Sequence, residues 1–481
     1  MISVFILVLS KILLLIFIGV GPQDVNLNVA DITEYDALFS KSSRRIYVSH
    51  EIDLEGQTLS IPDNCELVFR KGGRISNGCI VGNNTRIKGS SKLFDHVSFK
   101  GTWIVPVIST EMFVDLDYVN SLQEVFALSD SSVKNTIKIL EGDYFVSTNK
   151  EKIDALRLKS NTDLIIDGTI RLIPNTLQRS YILLVDKCSN VSISGNGTLI
   201  GDREEHLGND GEWGMGIYIS DSEEVTVNNI SVYNCWGDCI CVCKNSKTVQ
   251  IKGCNLERGR RQGISIIDVC EITISDCFIA NIGGTNPGYA IDIEPDSKCS
   301  VSNVSIKNVQ IKDCSGGILV YAKAKASSVK EIRIQNCTIT ASEQYPLRCE
   351  GGSSIMVTGC QIDSDKVPYC IWVEDSMQFI LDGNTIHSTK RVFRKISHAS
   401  IHNNIIFCEN LFSAFSELHQ ELTITNNIIV GNVNADFENS TIKNNKITST
   451  RKPIIKNVSN NIVIENNIFE QCSSTDDRFK M

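Results

Sequence analysis

Asp292 and Glu294 stand two positions apart in Ala290-Ile291-Asp292-Ile293-Glu294-Pro295, with isoleucines between them. In an extended strand with those isoleucines turned inward, both carboxyls leave the outer face, about 6.5–7 Å apart by strand rise. Two carboxyls separated by the breadth of a water can act as general acid and general base, the inverting arrangement for glycosidic bonds, once their proton affinities are driven apart. Asp238 in Trp236-Gly237-Asp238 is a third candidate catalytic carboxylate. Arg260, Arg261 and Gln262 fall in the coil between it and Asp292, where an arginine can tune carboxyls or clamp a carboxylate or sulfate. Trp213, Trp236 and Tyr289 are candidate platforms for stacking on a ligand ring, and Glu212 and His206 are further candidate contacts. Each has a plainer reading. Asp292 and Glu294 before Pro295 can solvate a strand or fix a turn, and Asp238 after Gly237 can be a turn residue. The arginines can pair between coils, Trp236 can pack under a loop, and Glu212 and His206 can be loop surface. Convergence on neighbouring coils favours chemistry.

The elements that must position these residues follow from a repeat. Val249-Gln250-Ile251-Lys252-Gly253-Cys254 returns as Ile272-Thr273-Ile274-Ser275-Asp276-Cys277, Val309-Gln310-Ile311-Lys312-Asp313-Cys314, Ile332-Arg333-Ile334-Gln335-Asn336-Cys337 and Ile355-Met356-Val357-Thr358-Gly359-Cys360. Later copies end in Asn384, Asn404, Asn427, Asn445 and Asn467. The copies lie roughly 18 to 25 residues apart, the period of a β-solenoid coil. Alternation makes each copy a short strand, and the Asn, Asp or Gly before the ladder position supplies a tight turn at positive φ. Stacked asparagines can bond their neighbours' amides, and stacked cysteines can fill the slot as small buried thiols, with disulfides between adjacent members as the alternative. Cys239, Cys241 and Cys243 alternate and lack the spacing of a metal-binding turn.

The expected fold is therefore all-β, a right-handed parallel β-helix with a small strand-rich N-terminal module and a capping helix. Residues 1–21 read as a signal peptide, 24–115 as the N-terminal module, 116–470 as the β-helix and 471–481 as a tail. Val119, Leu122, Val125, Phe126 and Leu128 give the helix, which would cover an otherwise unpaired strand edge. Two intervals stretch to about 33–37 residues, placing insertions near 200–215 and 281–303. A second alternating strand runs between them through Gly216-Ile217-Tyr218-Ile219, Asp238 to Val242, Gln262 to Ile266, Ala290 to Glu294 and Gly317 to Val320. Loops on a rigid scaffold commonly carry function, so this side wall is the candidate site. The shorter C-terminal coils read as structural.

The 481 residues include 42% hydrophobic side chains and 18 cysteines, with a formal charge of −9. No basic stripe interleaved with aromatics is present, which argues against nucleic acid as a partner. The apolar start followed by a chain with no second apolar run implies export, with no stable membrane span once the signal is removed. The oligomeric state is not readable.

Gly211-Glu212-Trp213-Gly214-Met215-Gly216-Ile217, Trp236-Gly237-Asp238, Arg260-Arg261-Gln262-Gly263-Ile264-Ser265 and Ala290 to Pro295 resemble a group within the pectate-lyase-like superfamily of right-handed β-helices, shared by secreted bacterial proteins and phage tailspikes. The resemblance spans about residues 120–470, its distinctive phrases about 200–300. It implies a polysaccharide or glycan partner and a carbohydrate-active enzyme, a glycoside hydrolase first. A polysaccharide lyase is the second enzyme reading and a non-catalytic glycan-binding or adhesion protein the third. No cofactor is implied, except Ca²⁺ held by oxygen ligands in the lyase case. The better-understood relatives are polygalacturonases, with Asn-Thr-Asp, Asp-Asp, Gly-His-Gly and Arg-Ile-Lys on successive coils. Asp238 matches the second residue of Asp-Asp. Met215, Gly237 and Gln262 depart from the other motifs, and Asp292 and Glu294 occupy the region of Arg-Ile-Lys. The polygalacturonase apparatus is thus not reproduced.

Overall fold

Isoleucines at alternate positions fold as short strands because one pleat face can be buried while the other is solvated or built upon. A computed structural model describes residues 25–26, 45–412, 418–457 and 461–472. The expected signal peptide and most of the expected tail lie outside the described residues. Two compact units divide the chain, Met1–Val105 with Glu111–Asp115, and Pro106–Thr110 with Leu116–Met481. In the first, Glu66–Phe69, Arg74–Lys88 and Phe94–Ile104 pair in parallel. Phe94, Phe99 and the buried Trp103 pack edge to face at its centre.

The second unit is a parallel solenoid. One 15-stranded sheet and one 23-stranded sheet wind through it, the larger built from two strand columns per coil. A short helix, Leu122–Ala127, buries Leu122, Val125 and Phe126 beside the strand Asp154–Arg157 in the early coils.

The ladder column fixes the stacking. Asn384, Asn404, Asn427 and Asn445 each offer Oδ1 to the backbone N–H of the preceding rung at 2.8–2.9 Å, and Asn467 does so at 3.0 Å. Each is preceded by a residue at positive φ, namely Gly383, Asn403, Asn426, Asn444 and Asn466. The thiols of Cys254, Cys277, Cys337 and Cys360 occupy the earlier rungs, buried and free. Cys314 does not belong to the ladder. Its coil places Val309 there, since the N–H of Thr338 bonds the carbonyl of Val309 just as that of Gln361 bonds Cys337.

The candidate wall is the column β1 (Arg179–Asp186), β2 (Trp213–Ser220), β3 (Ile240–Cys243), β4 (Ile264–Ile266), β5 (Tyr289–Ile293), β6 (Gly316–Tyr321), β7 (Leu347–Glu350), β8 (Tyr369–Glu374) and β9 (Thr385–Arg394). Ile217, Ile240, Ile264, Ile291 and Ile318 stack in register along its inner side, all fully buried. Each stabilises the coil by about 1.5–3 kcal/mol and aims the next residue outward. The outward column therefore reads Tyr218, Cys241, Ser265, Asp292, Leu319, Arg348, Trp372 and Arg394.

Candidate functional site

Long loops cover the outward column over β2 to β5. No strand lies between Ile200 and Trp213, and the chain runs without strand from Asn281 to Gly288 before β5. Arg203 ties these loops together, donating to the carbonyls of Arg258 at 2.9 Å, Gly259 at 3.2 Å and Gly283 at 2.7 Å. Beneath them Asp292 is almost wholly buried and Asp238 and Gln262 wholly so.

Gln262 organises the pair. Its Nε2 donates to Asp292 Oδ2 at 2.7 Å, its own N–H to Asp238 Oδ1 at 3.1 Å, and its Oε1 accepts the N–H of Tyr289 at 2.7 Å. Ser265 donates its hydroxyl to Asp238 Oδ2 at 2.7 Å. Arg261 approaches Asp238 at 3.5 Å and Glu212 at 3.7 Å. Arg261, Ser265, Asp292, Glu294 and Asp296 line an open cleft of about 250 Å³. Two buried polar atoms there have no hydrogen-bond partner, Asp292 Oδ1 and Arg261 Nε.

Burial pushes the Asp238 carboxyl up to about 6, against the pull of Arg261 and the hydrogen bonds of Ser265 and Gln262. Burial, then the neighbouring Glu294, holds Asp292 well above the usual carboxylate range. Burial raises Glu294 as well, with Arg261 opposing. Asp292 and Glu294 come within hydrogen-bonding reach of each other. That is closer than the breadth of a water expected from strand rise, and each carboxyl shifts the other's proton affinity, Glu294 raising that of Asp292 and Asp292 lowering that of Glu294.

The structure thus brings together Asp238, Arg261, Gln262, Asp292, Glu294 and Glu212, and adds Ser265. It does not bring the remaining candidates to the cleft. Trp236 is sandwiched, with the His206 ring stacked at 4.0 Å and the Arg260 guanidinium at 3.7 Å from its centroid. His206 is buried against Asp202 at 2.8 Å, and Arg260 donates to the carbonyls of Gly211 at 2.9 Å and Trp236 at 3.2 Å. These three lock the first insertion rather than offer a platform. Tyr289 is fully buried with its ring against Gly316, out of reach of any ligand ring. Trp213 is exposed, near the guanidinium of Arg179 at 5.3 Å.

Ser265 was legible from the alternation in Gly263-Ile264-Ser265-Ile266, which turns it outward one coil from Asp292. Arg348, Trp372 and Arg394 extend the same column and were missed because their coils keep the regular length. Among the described residues no group of three or more His, Cys, Asp or Glu side chains is arranged to hold a metal, and no helix is long and apolar enough to cross a membrane.

Three strand columns per coil, a buried amide and thiol ladder and long loops over one wall define a β-helical protein. The chain belongs to the family described as the right handed beta helix region, which matches residues 175–303 and 289–438, more than half of its length. It is 31% identical to YclG of Bacillus subtilis (strain 168) over 31% of this chain and 30% of that protein. It is 30% identical to the SPbeta prophage-derived protein YorA of the same organism over 30% and 29%. The chain thus spans about 30% of the length of these curated relatives. A tailspike protein of E. coli bacteriophage HK620 superposes with a TM-score of 0.51 over 76% of this chain and 78% of that one, at 14% identity. This likeness is one of fold.

Proposed function

We propose that the protein is an exported carbohydrate-active enzyme of the glycoside hydrolase kind, cleaving a polysaccharide or glycan laid along this wall. The observation that carries the reading is two carboxyls of raised proton affinity, Asp292 and Glu294, lining one cleft with Arg261, which a third, the buried Asp238, holds from beneath. Strongly perturbed acids in a cleft mark sites of proton transfer more often than sites of structure. Asp292, kept protonated by burial and by Glu294, is the proton donor to the leaving oxygen. Glu294, half exposed at the cleft, takes a proton from the water that attacks the anomeric carbon, so that the new C–O bond forms as the leaving oxygen departs with the proton of Asp292. Asp238, ionised above about pH 6, holds Arg261 and Ser265 in place, and Gln262 positions both aspartates. Arg261 stabilises negative charge as the bond breaks.

The test is digestion of a broad glycan panel by the wild type, Asp292→Asn and Glu294→Gln, read as new reducing ends and as ultraviolet absorbance of unsaturated products. New reducing ends without unsaturation, lost in both variants of unchanged melting temperature, are expected. Unsaturated products would make the protein a lyase, and full activity in the variants would sink this site. Binding without cleavage of any polymer would leave a glycan-binding protein.

A further inference from the structure

The outward column continues beyond the carboxylate cleft. From Asp292 it steps through Leu319 to Arg348, Trp372 and Arg394, one residue per coil. Trp372 is therefore about 14 Å from Asp292 along the axis, at ~4.8 Å per coil. Its ring lies between two guanidiniums, with Arg348 at 4.5 Å and Arg394 at 4.1 Å from the centroid. An indole so placed holds both planar forks in fixed orientation, with part of the Arg394 fork left over beyond its bond to Tyr345.

The charges there are unevenly matched. Arg348 is paired with Glu350 and Lys395 with Glu374 at 2.8 Å. Arg394 donates to the hydroxyl of Tyr345, and no carboxylate among the described residues pairs with it. Arg391, 5.5 Å from the Tyr369 centroid, is likewise without a carboxylate partner among them. Cations gathered on one wall repel each other, and an anion that docks there relieves the repulsion while taking bidentate hydrogen bonds from a preset fork. The cleft around Asp292, Glu294 and Asp296 has the opposite character.

We propose that Arg348, Trp372 and Arg394 form a binding site for a carboxylate or sulfate group on a glycan, so that the polymer this wall takes is acidic. The site deepens the hydrolase reading and rests on it for the direction in which the polymer runs. Its anion is held two to four coils toward the C-terminus from the bond-breaking cleft.

The experiment is native affinity electrophoresis of the full chain in gels containing polygalacturonate, alginate or chondroitin sulfate, beside gels containing neutral dextran or arabinan. Wild type, Arg394→Gln, Arg394→Lys, Trp372→Ala and Asp292→Asn are compared, each checked for an unchanged melting temperature. At least one acidic polymer is expected to retard the wild type, and neutral polymers not. Arg394→Gln and Trp372→Ala should bind about ten- to a hundredfold more weakly, as for a lost charge-assisted hydrogen bond. Arg394→Lys should fall between, keeping charge without the fork. Asp292→Asn, which leaves Arg348, Trp372 and Arg394 in place, should still be retarded by acidic and not by neutral polymers. Equal retardation by neutral polymers, unchanged binding in Arg394→Gln and Trp372→Ala, or no retardation by any acidic polymer would overturn the site. Arg394-dependent binding in a protein that cleaves nothing would leave the anion site standing and remove the hydrolase reading.

Discussion

Asp238→Asn is the substitution whose consequence follows most directly from the geometry. The carboxyl is wholly buried, and burial lifts it from 3.8 to about 6. The folded state therefore binds this proton more tightly than the unfolded chain does. Stability from that preference is fully present below about pH 3.8 and is lost as pH rises through about pH 6. Two pH units and a little more correspond to about 3 kcal/mol, at roughly 1.4 kcal/mol per unit. Most of it, about 2–3 kcal/mol, is lost between pH 4 and pH 7. Asparagine cannot titrate, and its one oxygen replaces only one of the two that accept from the Gln262 N–H and from Ser265. The pull of Arg261 on the ionised carboxylate is already contained in that raised value, so it adds no separate pH dependence. The difference in unfolding free energy between wild type and variant should therefore change by about 2–3 kcal/mol from pH 4 to pH 7, in the variant's favour at the higher pH. Denaturant titrations at four or five pH values measure it. An infrared titration of the protonated carboxyl band, wild type minus variant, locates the same group without any assumption about unfolding. Parallel stability curves together with a midpoint near the ordinary aspartate value would refute the reasoning.

Other consequences are structural. Asn427 accepts from the N–H and Nδ2 of Asn404 at 2.9 and 3.0 Å and donates to Ile401, Thr425 and Asn445 at 2.9–3.0 Å. Asn427→Ala orphans several buried groups and should lower the unfolding free energy by about 2–4 kcal/mol, read from the denaturation midpoint. Cys270 is exposed, whereas Cys254, Cys277, Cys337 and Cys360 are buried and free. A thiol reagent should label Cys270 at once in the native protein and the ladder thiols only after denaturation. Native labelling mapped to Cys254, Cys277, Cys337 or Cys360 by peptide mass would contradict the buried ladder.

The fold was legible because its determinants are local and repeated. Asn403, Asn426, Asn444 and Asn466 adopt positive φ where the repeat places a turn, and an asparagine there needs no distant partner. Cys314 shows the limit of that legibility. Val309-Gln310-Ile311-Lys312-Asp313-Cys314 imitates the repeat, yet the true turn comes earlier at Asn308, leaving Val309 on the ladder. Asp313 also adopts positive φ, so both turns are real and the sequence phrase alone does not rank them. Asp292 and Glu294 were legible for the same local reason, being outward between inward isoleucines. What Tyr289, Trp236 and His206 do depends on loops from other coils, which close over them. Their burial is non-local and invisible to alternation. Arg348, Trp372 and Arg394 needed the register of three successive coils before they lined up with Asp292.

The contrast between the two sides of each coil bears on why the site can exist. Along the ladder, amide after amide is satisfied in series. On the wall, carboxyls of raised proton affinity crowd together, and Asp292 Oδ1 and Arg261 Nε are left without hydrogen-bond partners. Buried polar atoms in that condition cost about 1–3 kcal/mol each, which a single coil would not tolerate alone. In a solenoid, stability is close to a sum of coil and interface contributions, so well-satisfied neighbours offset the cost locally. The stacked isoleucines beneath β3, β4 and β5 supply that support at the same coils. A ligand that donates to Asp292 or accepts from Arg261 would then recover what folding left unsatisfied, and binding should stabilise these coils more than those at either end.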